Sequence, residues 1–134
     1  MYSAKLLRSN LEKLYVFGDN TERAGKGGQA IIRDEINAIG IATKVDTQTF
    51  MMDKDYFNNI AIIDNDIFRI KESYLNDQYE EVVFPINGLG TGLSSMQERC
   101  PRTFLYLCER LLNEFKFNNL QNLTTWNGYR SNGY

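Results

Sequence analysis

Glycines gather in two places along this chain, Gly18 to Gly28 and Gly88 to Gly92, and each cluster lies between a β-like run and a helix-like run. Without a Cβ the backbone reaches φ > 0 and lets a ligand come close. N–H groups at such a strand-to-helix turn bind anions such as phosphate. The alternation predicts an α/β fold: a mixed, largely parallel sheet flanked by helices in three layers, with loops at the strand C-terminal ends carrying the site. At 134 residues one domain spanning 1–134 is expected.

The first strand is expected at Leu14-Tyr15-Val16-Phe17, ending in the Gly18-Asp19-Asn20 turn. Gln29 to Ile39 reads as a helix, because Ile32, Ile36 and Ile39 share a helical face and Gly40 suits a C-cap. Ile41-Ala42-Thr43 suggests a short strand, and Lys44 to Asp53 a polar surface loop. Asp64 is placed to cap a helix running to Tyr74, with Ile63, Ile67, Ile70 and Tyr74 as its apolar stripe. Val82-Val83-Phe84, a continuous apolar run, predicts a strand buried on both faces. Pro101 fits the first turn of a last long helix. Its buried face is Phe104, Leu107, Cys108, Leu111, Leu112 and Phe115. One further strand is expected near Leu123 to Trp126.

Composition removes several chemistries. The chain has no histidine, which excludes Ser-His-Asp and Cys-His catalysis. With no cysteine pair at metal spacing, no metal site or cofactor is expected. Cys100 and Cys108 fall in the same expected helix, too far apart for a disulfide, and read as reduced thiols. A formal net charge of −2 argues against general nucleic-acid binding. No apolar run approaches a membrane span, and the N-terminus is not a signal peptide, so no membrane partner and a cytoplasmic location are expected.

Two familiar phosphate motifs come close and fail. A P-loop has four residues between its first glycine and Gly-Lys-Ser/Thr; here six separate Gly18 from Gly25, and Gly27 follows Lys26. Gly25-Lys26-Gly27-Gly28-Gln29-Ala30 matches G-x-G-x-x-A, but it begins eight residues beyond Phe17 rather than at the strand end.

The spacing instead resembles the macrodomain family, whose members bind ADP-ribose or remove it from proteins or nucleic acids. There a strand ends in an asparagine, a bulky residue follows three positions later, and a Gly-Gly-Gly-Val-Ala element at six to ten. Asn20, Arg23 and Lys26-Gly27-Gly28-Gln29-Ala30 take these places. The family's second loop, a Phe-Pro pair and a short Gly-containing turn, is similar to Phe84-Pro85 followed by Gly90-Thr91-Gly92-Leu93. The Gly18-Asp19-Asn20, Gly25-to-Ala30 and Gly88-to-Leu93 motifs also resemble small phage-encoded proteins.

The resemblance implies that Gly27 and Gly28 approach the distal ribose and diphosphate, with Gly90 to Leu93 wrapping the other side. The full expected contact set is Gly18, Arg23, Gly25, Lys26, Gly27, Gly28, Gln29 and Ala30 from the first loop. Pro85, Asn87, Gly88, Leu89, Gly90, Thr91, Gly92 and Leu93 come from the second. The implied function is binding of ADP-ribose or a derivative, free or carried on a macromolecule, with hydrolysis of an ADP-ribosyl linkage. Asp19 would activate water or steady positive charge, Asn20 would orient the ribose, and Lys44 would act as nucleophile or charge partner. Asp46 and Asp53 are outside candidates, and Tyr56 or Phe57 a stacking surface for adenine. Some hydrolytic relatives carry an aspartate after the second turn where this chain has Ser94. That favours the alternative of a non-catalytic binding module. A third reading is an interaction domain whose glycines only shape turns.

Overall fold

The computed structural model of the chain describes residues 1–86, 88–89, 95–116 and 125–128. Its elements run α1 (Ala4–Arg8), β1 (Lys13–Asn20), a 3-10 helix (Gly28–Ile32), β2 (Ala38–Lys44), a second 3-10 helix (Asp53–Asp55), α2 (Tyr56–Asn76), β3 (Glu81–Val83), α3 (Met96–Arg99), α4 (Pro101–Phe115) and β4 (Thr125–Trp126). The sheet order is β2-β1-β3-β4. β1 lies parallel to both β2 and β3, while β4 pairs antiparallel with β3.

Alternation along β1 builds the layers. Leu14 and Val16 point into the main core with Ile41, Ile63, Ile67, Val82, Leu107 and Leu111, under α2 and α4. Tyr15 and Phe17 point the other way, into a smaller cluster with Leu7, Ala30 and Ile32 beneath α1 and the first 3-10 helix. This is the period-2 pattern of a strand covered on both faces. β3 follows it: Val82 joins the main core and Val83 packs on the smaller one. The fold is therefore a three-layer α/β arrangement with a mixed, mostly parallel sheet. Among the described residues no helix is long and apolar enough to cross a membrane.

Several expectations change. Gly18-Asp19-Asn20 is not a turn but the end of β1, paired with Ile41, Ala42 and Lys44 of β2, and the chain turns only after Asn20. The stretch from Gln29 to Ile39 is not a helix. Only Gly28–Ile32 turns, as a 3-10 helix, and Ala38 already pairs with Tyr15 in the sheet. Ile39 and Ile41 obey the strand period and both enter the main core, whereas Ile36 is 84% exposed. Asn37 locks the switch: its amide donates to the carbonyls of Leu7, Asn10 and Lys13. Gly40 consequently lies inside β2, not at a helix end.

α2 starts at Tyr56, and Asp64 sits in its third turn, accepting from Tyr106 (2.7 Å) and Arg110 (3.0 Å). Cys100 is not in the last helix; it occupies the position before α4, so only Cys108 is helical. Both cysteines are free, and burial pushes each thiol up to about 11. Lys44 to Asp53 is only partly a surface loop: Lys44 bridges to Phe50, and Met51 is buried in the core. Of the tail strand expected near Leu123, Thr125 and Trp126 form β4, and the rest lies outside the described residues.

Candidate functional site

The three parallel strands deliver their C-terminal ends to one edge of the sheet, and the glycine loops leave from β1 and β3 there. The first loop is shaped by Asn20. Its Oδ1 accepts from the N–H groups of Glu22 (3.1 Å) and Ala24 (3.3 Å), and its Nδ2 donates to Ala24 O (2.7 Å). A short amide that reproduces a turn in this way explains why asparagine stands here. The chain then passes through Arg23 (φ 56°) and Gly25 (φ 88°), both left-handed. At Gly25 a Cβ would also fall 2.8 Å from Thr47 Cγ2.

Arg33 holds this loop in place. Its Nε donates to Gly25 O (2.7 Å) and its Nη2 to Ala24 O (3.1 Å). The same guanidinium grips Asp19 with two bonds, Nη1 to Oδ2 (3.0 Å) and Nη2 to Oδ1 (2.5 Å). Asp19 Oδ1 also accepts from Asn20 N–H (2.8 Å). Two loop carbonyls are thus turned toward Arg33. The next four main-chain N–H groups, on Lys26, Gly27, Gly28 and Gln29, donate to no described residue. A Cβ built on Gly27 meets nothing within 4 Å. Four successive free N–H groups, with open space where a Gly27 side chain would stand, offer donors to an anion just before the first 3-10 helix, and this turn is the candidate cradle.

The second loop is joined to the first by a side chain. Gln29 Oε1 accepts from Gly18 N–H (2.7 Å), and Gln29 Nε2 donates to Gly88 O (3.0 Å). Gly88, at φ 81°, closes a turn by donating to Pro85 O (3.0 Å). Leu89 is buried in the main core and lies 3.8 Å from where a Gly18 Cβ would be. Ser95, at the start of α3, is again left-handed (φ 45°). Among the described non-glycine residues the left-handed ones are Arg23 in the first loop, Ser95 beyond the second, and Gln78 and Lys116 after α2 and α4.

Among the sequence candidates, Asp19, Asn20 and Lys44 come together, since Asn20 pairs with Lys44 across a bulge at the strand ends. Their side chains are engaged: Lys44 Nζ donates to Thr47 O (2.9 Å) and lies over the Phe50 ring. Lys26 pairs with Asp34 at the surface. Ala30 is buried beneath the cradle, and Pro85 is buried too. Asp46 accepts from Gln48 N–H in its own turn. Asp53 accepts from the main-chain N–H groups of Arg102 and Thr103 and caps α4. Tyr56 stacks on the Arg102 guanidinium at 3.9 Å, and Phe57 is 76% exposed. Asn87, Gly90, Thr91, Gly92, Leu93 and Ser94 lie outside the described residues.

Two residues were missed by the sequence reading. One is Arg33. The other is Asp66, fully buried on α2, whose Oδ2 accepts from Ala42 N–H (2.8 Å) on the edge strand β2. Its Oδ1 accepts from Arg23 (2.5 Å) and Arg69 (3.0 Å). Arg23 therefore ties the first loop to α2, and its Nη1 lies 3.5 Å from Asp19. One signal was available: an aspartate three residues after Ile63 and four before Ile70 interrupts an apolar stripe.

A protein-family profile spans these pieces, matching residues 1–110. The chain belongs to the DUF7831 family. That family is described as one of unknown function. No curated protein and no solved structure matches the chain. The DUF7831 match contains the whole of both loops, Gln29, Arg33 and Asp66, and ends within α4.

Proposed function

We propose that this DUF7831 chain binds ADP-ribose or a related diphosphate-bridged nucleotide between the Gly25–Gly28 turn and the Pro85–Leu89 turn, as a macrodomain-like binding module. The observation that carries the reading is the row of free N–H groups from Lys26 to Gln29 beneath the open Gly27 position. Holding is favoured over turnover because both Asp19 oxygens are taken by Arg33 and the Asn20 amide is spent on its own turn. A carboxylate so engaged is a poor acceptor for a water proton. Free thiols raised by burial fit a reducing cytoplasm as the compartment.

Titration calorimetry with ADP-ribose tests this reading. Saturable one-site binding with the nucleotide recovered intact after long incubation is expected, and no heat would remove it. Hydrolysis keeps one support, the meeting of Asp19, Asn20 and Lys44 at adjoining strand ends. It requires ADP-ribose released from a modified protein or nucleic acid by the native chain and a loss of release in Lys44→Ala.

A further inference from the structure

Among the described residues, Gln29 is the side chain that bonds to both glycine regions. It is the second residue of the first 3-10 helix, directly after the cradle glycines. Its amide oxygen takes the Gly18 N–H of β1 and its amide nitrogen gives to the Gly88 carbonyl of the second loop, at 2.7 and 3.0 Å. A side-chain amide accepts on one end and donates on the other, which matches these two partners. A leucine would satisfy neither partner, and a glutamate would set a carboxylate against a carbonyl oxygen. The surroundings leave little slack, since a Cβ on Gly18 would stand 3.3 Å from Gln29 Oε1. One amide therefore spans from the cradle to the Gly88 turn, beside the packing of Leu89 in the core.

We propose that Gln29 is a positioning residue that fixes the span between the two loops and thereby selects ligands long enough to be held by both. The chemical class selected is a nucleotide with two linked phosphates and a sugar at each end, in preference to a single sugar phosphate. This rests on the nucleotide-binding reading above and adds the source of its selectivity. Two contacts held at a fixed separation act as linked binding events, and the gain vanishes when the separation is wrong. A short ligand occupies only one loop and does not sense the clamp.

Three ligands are titrated: ADP-ribose, AMP and ribose 5-phosphate. The native chain is expected to bind ADP-ribose at least about tenfold more tightly than either monophosphate. In Gln29→Glu, which keeps the acceptor for Gly18 but loses the donor to Gly88, that preference narrows to about threefold or less. Gln29→Leu does the same or more. Thermal unfolding of each variant without ligand supplies the control for general loosening.

Affinities falling equally for all three ligands would mean that Gln29 is only structural, and the proposal fails. It also fails if the preference is unchanged in Gln29→Glu, or if the native chain shows none. Failure of the native chain to bind any of the three would instead remove the nucleotide reading itself, and the clamp proposal with it.

Discussion

At the scale of single residues, Asp19 and Gly40 form one device. Asp19 lies across β2, and a Cβ built on Gly40 would stand 2.5 Å from its Oδ2 and 2.6 Å from its Cβ. Neither atom belongs to a flexible tip, because Arg33 pins the carboxylate from both sides. Gly40→Ala is expected to cost about 1–3 kcal/mol in urea denaturation, as overpacking does; an unchanged midpoint would contradict the contact. Asp19→Ala is expected to cost about 1–3 kcal/mol, because it removes the carboxylate from a partly buried guanidinium that keeps only its bonds to Gly25 O and Ala24 O. Replacing both partners, as Asp19→Leu with Arg33→Met, should recover part of that loss. A double variant as unstable as the sum of the two singles would show that the pair is not the origin. Asp19 was visible in the sequence as a site residue because it adjoins a turn. Its engagement was not, because Arg33 lies 14 residues on, in a segment whose isoleucines suggested a helix.

Elements were legible where one periodicity acted alone. Leu14 to Phe17, Val82 to Phe84 and Phe104 to Phe115 each carried a single pattern, and each fell in the expected strand or helix, although β1 runs on to Asn20 and β3 stops at Val83. Gln29 to Ile39 failed because Ile39 belongs to two patterns, the helical one with Ile32 and Ile36 and the alternating one with Ile41. Only the pairing of Ala38 with Tyr15, a non-local bond, decides between them. The start of α4 was equally hidden. Cys100 occupies the capping position without a side-chain bond, and Asp53, about fifty residues earlier, supplies the cap with both oxygens. Desolvation raises the Asp53 carboxyl, but the bonds from the Arg102 and Thr103 N–H groups and the Thr103 hydroxyl outweigh it and leave its pKa lowered.

A carboxylate with a lowered folded pKa stabilises the fold above its unfolded value of about 4, and that stability is lost as pH falls through the folded value. Asp53→Ala is accordingly expected to cost about 1 kcal/mol near neutrality. The difference between native and variant midpoints should shrink below about pH 4. Glu114, lowered chiefly by its bond from Lys71, follows the same sign and is present in both proteins, so it cancels in the comparison. A gap that stays constant down to pH 3 would show that Asp53 is not the cap.

For the whole molecule, the parallel strands place two loops of different sequence origin on one edge, and Arg33 and Gln29 turn that edge into a cradle facing a second turn. The glycines announced the loops. Their relation needed the sheet, because the loop-bearing strands β1 and β3 lie side by side although β2 comes between them in the sequence. Gly27 separates fold from function. It has φ −78°, ordinary for any residue, and open space where a Cβ would go. Gly27→Ala should therefore leave the unliganded melting temperature unchanged or raise it slightly, since a glycine replaced without strain stabilises by about 0.4–1 kcal/mol through the unfolded chain.

Bound nucleotide is a different matter. Ligand at about a hundred times its dissociation constant stabilises the native state by about 2.7 kcal/mol. For a domain of this length that raises the melting temperature by roughly 5–10 °C. The native chain is expected to show that rise with ADP-ribose, while the Gly27→Ala chain at the same concentration shows little or none, because its methyl group takes up the open space beside the free N–H groups. Gly25→Ala, with φ 88° and Thr47 in the way, should instead lower the melting temperature before any ligand is added. A Gly27→Ala chain that melts like the native one and still rises with ADP-ribose would place the nucleotide somewhere other than this cradle.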